Sequence, residues 1–263
     1  MDIIVCVKRV PDTAGATIEI ADDARRIRED GLVFDMNDCD KYAVEEAVGL
    51  KKKYGGSVTA IALGTEDVED ILRMCFVTGC DEGIRLTDKA FQGSDAVTIA
   101  RILHRLIQSM KFDLILTGAQ ATDDGYGQVG SALAELMGIS HATLVIGIEI
   151  LDGKARVHRE LEGGMEEVVE IRLPAVLTIQ TGINIPRYVS IRALMKVAQK
   201  EIKVLDLKGL GMREEEVGES GSNTSIERLF LPPLTKEMEI LPSDPGEAAT
   251  RVVKILKDKG GLV

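Results

Sequence analysis

Residues 113–130 read DLILTGAQATDDGYGQVG, and their order decides the fold class. Residues 113–117 are a short aliphatic and β-branched run, the mark of a strand buried on both faces. Residues 118–127 are rich in glycine and acids and cannot continue that strand. Residues 128–137 then space their apolar positions for a helix, which Gly138 closes. Strand, glycine-rich loop and helix form one unit, and the same alternation recurs on the N-terminal side. Residues 2–7 read as a buried strand. Residues 40–54 carry Ala43, Val44, Ala47, Val48 and Leu50 on one helical face, and Gly55-Gly56 stop that helix. Residues 57–63 return to strand, 66–77 to helix and 84–86 to strand, and 94–110 read as a long helix capped by Ser94. Such alternation predicts an α/β fold, an open and mostly parallel sheet with helices on both faces.

The pattern changes after residue 142. Residues 143–151 and 154–160 flank Asp152-Gly153, which predicts a hairpin with a type I′ turn. Residues 168–173 and 175–179, divided by Pro174, keep the β character, so an antiparallel extension of the sheet is expected. From 187 to 203, Arg187, Arg192, Lys196, Lys200 and Lys203 stand against Glu201 alone. Arg192, Lys196 and Lys200 fall at i, i+4 and i+8, which predicts one basic helix face. Residues 206–223 read as a polar loop, and a short helix is expected at about 245–259 in a tail with Pro232, Pro233, Pro242 and Pro245. That tail has too little apolar surface to fold alone. The expected division is an α/β domain over 1–203, then a loop and C-terminal arm over 204–263 that reaches over either this domain or another chain.

The chain's 32 Lys+Arg against 43 Asp+Glu give a formal charge of −11, which argues against nucleic-acid binding driven by phosphate neutralisation. No stretch approaches the ~20 apolar residues of a membrane span, so no direct membrane insertion is expected. No basic flank and cleavage site precede the first strand, so no signal peptide is expected and the location reads as cytoplasmic. With no Trp, four Tyr and five Phe, aliphatic residues and Ala must build the core. Cys6, Cys39, Cys75 and Cys80 are expected to be reduced and mostly buried. A Cys75-x4-Cys80 spacing without a nearby His is a poor zinc pattern, and His104, His141 and His158 form no recognisable triad, so no metal site is expected.

Ligands of parallel α/β sheets bind beyond the carboxyl ends of the strands. Three loops gather there: residues 8–14, 64–66 and 118–130. Glycines in the third let the backbone approach a phosphate closely, and the free N–H groups of the following helix favour an anion. Gln and Asp side chains in the loop can hold ribose hydroxyls or adenine edges. Gly125-x-Gly127-x-x-Gly130 matches the dinucleotide fingerprint in form, but that motif belongs in the first strand–helix turn, and here it follows several strands. No Gly-Lys-Ser/Thr is present to support phosphoryl transfer by a P-loop.

Several separated motifs stand in one order: Val7-Lys8-Arg9-Val10-Pro11-Asp12, Met36-Asn37, Ala43-Val44-Glu45-Glu46-Ala47 and Gly118-x-Gln120-Ala121-x-Asp123-Asp124. They are followed by Arg159-Glu160-Leu161-Glu162-Gly163-Gly164-Met165, Leu173-Pro174-Ala175-Val176-Leu177-Thr178 and Pro186-Arg187-Tyr188. In this order and spacing the chain resembles the β subunit of electron-transfer flavoproteins from residue 1 to about 200, and its tail resembles that family's C-terminal arm.

The resemblance implies a sheet of the adenine-nucleotide-binding type and an obligate heterodimer with a larger α subunit, around which the arm wraps. It implies an electron carrier rather than an enzyme. The redox FAD would be bound mainly by the α subunit, near the interface. Electrons would arrive from flavin dehydrogenases, such as acyl-CoA dehydrogenases, and leave to an acceptor such as a quinone reductase. In simple carriers of the family the β subunit holds AMP as a structural ligand, and in electron-bifurcating relatives the same pocket holds a second FAD. Residues 10–13 and Asp40-Lys41 resemble the bifurcating branch, whereas residues 159–165 and 178–188 resemble the simple carriers. AMP is the expectation and a second FAD the alternative, since Tyr126 could crowd a diphosphate.

Carried over by position, the nucleotide pocket would include Cys6, Asn37, Asp38, Cys39, Asp40, Leu63, Gly118, Gln120, Ala121, Asp123, Gly125, Tyr126, Gly127, Gln128 and Val129. Asp123 and Gln128 would make polar contacts, and the backbone of Gly125, Tyr126, Gly127 and Val129 would surround the phosphate. Thr13 and Cys39 would face the flavin; some relatives carry aromatic residues there. Residues 188–200 match the family's recognition loop, with Ile191 where relatives commonly have Leu, and Tyr188, Arg192, Met195 and Lys196 around it. Read without the resemblance, the same segment is an amphipathic helix whose Ile191, Leu194 and Met195 pack on the core. Two other classes compete. An adenylate-forming or ATP-pyrophosphatase enzyme would want a Ser-Gly-Gly-type loop after the first strand, where Lys8-Arg9-Val10-Pro11-Asp12 stands. A stand-alone nucleotide-binding module would end near residue 142, leaving the hairpin, basic segment and arm without a role.

Overall fold

Aliphatic runs and helical stripes become eleven strands and seven α-helices in the computed structural model, which describes residues 1–233, 238 and 240–259. The strands are β1 (Ile3–Val7), β2 (Arg9–Pro11), β3 (Phe34–Met36), β4 (Val58–Leu63), β5 (Glu82–Leu86) and β6 (Leu114–Gly118). They continue with β7 (Ser140–Leu151), β8 (Lys154–Leu161), β9 (Met165–Arg172), β10 (Ala175–Ile179) and β11 (Lys203–Leu205). The helices are α1 (Asp38–Tyr54), α2 (Glu69–Thr78), α3 (Ala96–Ile107), α4 (Val129–Met137), α5 (Ile191–Val197), α6 (Gly218–Gly221) and α7 (Pro245–Asp258). Nine strands form one sheet in the order β11-β5-β4-β1-β6-β10-β7-β8-β9, parallel from β11 through to β7. Within β1, Ile3, Val5 and Val7 pack toward α1 and α2, while Ile4 and Cys6 pack with α3 and α4. This alternation of one buried strand between two apolar layers is what a continuous hydrophobic run encodes.

Several sequence expectations are corrected. Residues 175–179 do not belong to the antiparallel extension. They form β10, which lies parallel between β6 and β7, so only β8 and β9 extend the sheet antiparallel. Two residues separate Arg172 from Ala175, a span of roughly 11 Å at full stretch, and Ala175 pairs with Ser140 at the start of β7. The distal half of β7 must therefore turn back. The turn sits at Leu144 (φ 57°) and at the register shift between Val145 and Gly147. Ile148, Ile150, Val169 and Ile171 then pack on the α1 side of the core.

Helix ends also shift. α3 starts at Ala96 under an Asp95 cap, whose Oδ1 accepts from Thr98 N–H at 2.8 Å, while Ser94 Oγ accepts from the Gly218 N–H. The helix expected over 66–77 begins with a 3-10 turn at Glu66–Val68 before α2. The basic helix is short, and Lys200 lies beyond it, donating to the Cys80 carbonyl and stacked 4.1 Å over the Phe76 ring. The segment at 206–223 is no free loop: Leu210 and Val217 are buried against α3, and Asp95 Oδ2 accepts from the N–H groups of Asn223 and Thr224. The chain divides into units Met1–Glu227 and Arg228–Val263. The second carries α7, capped by Asp244 with Pro245 in its first turn, and no residue of that helix is buried.

Candidate functional site: a cavity at the carboxyl ends of β1, β4 and β6

β1, β4 and β6 end on one side of the sheet, where a cavity of about 860 Å³, its open mouth included, lies between them, α3 and the loop into α4. Of the residues expected at a nucleotide pocket, Cys6, Asn37, Asp40, Leu63, Gly118, Gln120, Ala121, Tyr126, Gly127, Gln128 and Val129 line it. Asp38, Cys39, Asp123 and Gly125 do not. Asp38 pairs with Lys41 on the surface, and the buried Cys39 thiol points to Gln180 Oε1 at 3.7 Å. Gly125 sits at the loop tip with φ 65°, its N–H donating to the Ala121 carbonyl. Lys8 and Asp124, from the motifs quoted above, also line the cavity, and so do Ile61, Ile99 and Leu103, which no motif marks. Ile99 and Leu103 are four apart on α3, and nothing in that spacing separates a cavity wall from ordinary core.

A buried polar knot holds the floor. Asp40 is 4% exposed; its Oδ2 accepts from the Lys8 N–H at 2.7 Å and its Oδ1 from Asn37 Nδ2 at 3.1 Å. Asn37 also donates to the Gln120 carbonyl and accepts from the Thr122 N–H, so two side chains tie the ends of β1 and β6 together. Burial pushes the Asp40 carboxyl up to about 7, against the pull of donors from Lys8, Asn37 and Gly118. Burial, helped by the Asp40 charge, drives the neighbouring Cys6 thiol up to about 12, so it remains a thiol. Gly118 is required at this crossing, since a Cβ there would strike Asp40 Oδ1 and lie 2.9 Å from Cys39 Cβ.

The rim carries charge. Lys8 Nζ lies 2.7 Å from Asp123 Oδ1 and 2.7 Å from Asp124 Oδ2. Burial pulls the lysine's pKa down, but the two carboxylates outweigh it and the net shift is upward, so Lys8 stays charged. Asp124 Oδ1 also accepts from the Tyr126 N–H, shaping the turn into Gly127 (φ 60°). Gln128 then opens α4 without placing its side chain over the helix's first N–H groups. An uncapped helix start beside glycines presents donors and a partial positive charge to an anion, and an apolar slot made by Ile61, Leu63, Ile99 and Leu103 adjoins it. That combination fits a purine ring at one end and a phosphate at the other.

The profile of the electron transfer flavoprotein domain matches residues 26–210. Electron transfer flavoprotein subunit beta of Methylophilus methylotrophus is 33% identical over 265 residues, covering 99% of this chain and 100% of the relative. The protein of the same name from Bacillus subtilis (strain 168) is 34% identical over all of both chains. The chain belongs to the electron-transfer flavoprotein β-subunit family. A further relative, the Caffeyl-CoA reductase-Etf complex subunit CarD of Acetobacterium woodii, is 35% identical over 98% of this chain and 99% of its own.

The segment expected from the resemblance to be a recognition loop lies elsewhere, beside α2. Its scaffold is pinned by charge: Arg187 pairs with Glu45, Asn184 donates to the Tyr42 carbonyl and to Glu46, and Arg73 caps α5 through the carbonyls of Val197 and Ala198. Its apolar side chains point outward, with Ile185 91%, Tyr188 88%, Ile191 76% and Met195 74% exposed. The packed reading of Ile191 and Met195 is therefore corrected, and only Leu194 is partly covered. Arg192 and Lys196 are exposed beside them. Thr13 is exposed in the loop after β2. Among the described residues no helix is long and apolar enough to cross a membrane, and no cluster of three His, Cys, Asp or Glu is placed to hold a metal.

Proposed function

We propose that this chain is the β subunit of an obligate heterodimer with a larger α subunit and that its cavity holds AMP as a structural ligand. The supporting observation is the pairing of an apolar slot with the uncapped start of α4, one for the adenine and one for the phosphate. In this reading Asn37 and Asp40 fix the floor, Gln120 and Gln128 orient the ribose and base, and the backbone of 127–129 meets the phosphate, the Gly125 and Tyr126 N–H groups being taken up within the loop. AMP is favoured over a second FAD by the rim, where two carboxylates face a single lysine and a diphosphate would add repulsion.

The redox FAD, when bound, accepts and passes on electrons; it would sit mainly on the α subunit, with Thr13 and Cys39 on the near edge of this chain. Cys39 would contribute shape rather than a reactive thiol, since burial raises its pKa. Donors would be flavin dehydrogenases such as acyl-CoA dehydrogenases, docking on Tyr188, Ile191, Arg192, Met195 and Lys196, and the acceptor a quinone reductase or similar protein. The chain acts as a cytoplasmic carrier rather than an enzyme; residues 206–223 stay with this chain's own α3, and the arm from Arg228 onward packs on the α subunit.

The test is to co-express the chain with its α partner, denature the purified complex and quantify the released nucleotides. One FAD and one AMP per heterodimer is the expected result. Two FAD and no AMP would establish the bifurcating alternative, and a stable lone chain without nucleotide would overturn both readings.

A further inference from the structure

The rim of the cavity holds an arrangement that the nucleotide reading alone does not require. Loops that bind phosphate through backbone N–H groups normally keep acids away, yet Asp123 and Asp124 occupy the loop itself. Both are clasped by one ammonium group from the opposite strand end, Lys8 Nζ at 2.7 Å from each. The lysine is held at both ends, because its backbone N–H donates to the buried Asp40. Each acid also shapes the loop: Asp123 Oδ1 accepts from the Asp124 N–H at 2.9 Å, and Asp124 Oδ1 from the Tyr126 N–H at 3.1 Å. Lys8 and Asp124 line the cavity, whereas Asp123 does not.

Resting on the AMP reading, we propose that Lys8, Asp123 and Asp124 form a charge latch that positions the phosphate loop and selects a nucleoside monophosphate over a diphosphate. Lys8 is a positioning residue in this scheme. It cancels one of two carboxylate charges and draws the loop across to β1, which aims the N–H groups of 127–129 into the cavity. The latch keeps one negative charge at the rim. Repulsion from that charge grows with the charge on the ligand, so it bears harder on ADP than on AMP.

Three variants of the co-expressed αβ complex separate this role from a merely structural one, with AMP, ADP and FAD released by denaturation and counted per heterodimer. Lys8→Met leaves both acids uncancelled, and AMP content should fall by on the order of tenfold. In K8M/D123N/D124N the charges are removed together while the carbonyl acceptors for the loop N–H groups remain, and AMP should return to at least half its original content. Asp124→Asn alone should raise the ratio of ADP to AMP by about tenfold with FAD unchanged. K8M complexes that keep their AMP would overturn the latch. So would a triple variant that assembles with FAD but stays empty, because Lys8 would then act by touching the ligand. If K8M does not assemble, the Asp124→Asn ratio decides alone, and an unchanged ratio overturns the selectivity. Absence of AMP from the unsubstituted complex is a separate outcome that overturns the AMP reading itself.

Discussion

The cavity and the 185–196 surface use the same residue types in opposite ways. At the cavity the polar groups are turned in: Asp40 and Asn37 are nearly inaccessible, every polar atom of the pair has a partner, and the apolar walls face an internal slot. At the surface the polar groups form the base. Arg187–Glu45 and the Arg73 cap hold the backbone still while four large apolar side chains stand in solvent. Buried, fully satisfied polar networks specify one geometry and suit a resident ligand. Exposed apolar side chains on a rigid base suit a contact that must form and break, where a few central residues carry the binding energy. One chain thus separates what it keeps from what it meets.

The largest effect that would break this contrast is at Gly118. Gly118→Ala drives a methyl group into the Asp40–Asn37 knot, and we expect a loss of about 2–3 kcal/mol in chemical denaturation of the heterodimer. A loss below about 0.5 kcal/mol would mean that the knot is pliable. The second effect is in the pH dependence. Asp40 has a raised pKa in the folded chain, so the stability linked to its proton is fully present below about pH 4 and declines as pH rises toward about 7. Denaturation midpoints of Asp40→Asn should therefore lack the fall between about pH 4 and 7 that the unsubstituted complex shows; parallel curves would place the titrating group elsewhere. The smallest effect on stability is at the surface. Ile191→Ala should leave stability within about 0.5 kcal/mol while slowing electron transfer from a flavin dehydrogenase by on the order of tenfold. A stability loss with unchanged transfer would turn Ile191 into a packing residue.

The legible parts of the sequence were those whose signal is local. β1, β4, β6 and α1 could be read because aliphatic runs and a helical stripe need no knowledge of the partner strand. The loop at 118–130 could be placed because glycines mark where a strand gives way to a helix, whereas lining residues outside it, such as Cys6, Asn37, Asp40 and Leu63, followed only from the family resemblance. The position of β10 could not be read, since Ala175–Ile179 looks the same whether it pairs parallel or antiparallel; pairing is settled by the turn-back in β7 at Leu144. β11 and the short β2–β3 pair were missed because three residues carry no periodicity. Residues 206–223 read as polar since their few apolar anchors, Leu210 and Val217, are diluted by glycines and acids. Lys8 stood within a quoted motif, yet its two partners lie 115 and 116 residues away, beyond any spacing argument.

The place of β10 has a consequence for how the chain is made. β6 and β7 are separated in the finished sheet by a strand that is synthesised after both. While the chain grows on a ribosome, the outer edge of β6 and the first half of β7 are left without their β10 neighbour until residue 179 has emerged. Open strand edges invite pairing with other chains, and long-range strand insertion is slow compared with local hairpin formation. The hairpin of β8 and β9 can close early but cannot be joined to the rest of the sheet until β10 arrives. This subunit therefore passes through a vulnerable interval late in translation, when its sheet is in two pieces and the strand that unites them is the last of the central five to leave the exit tunnel.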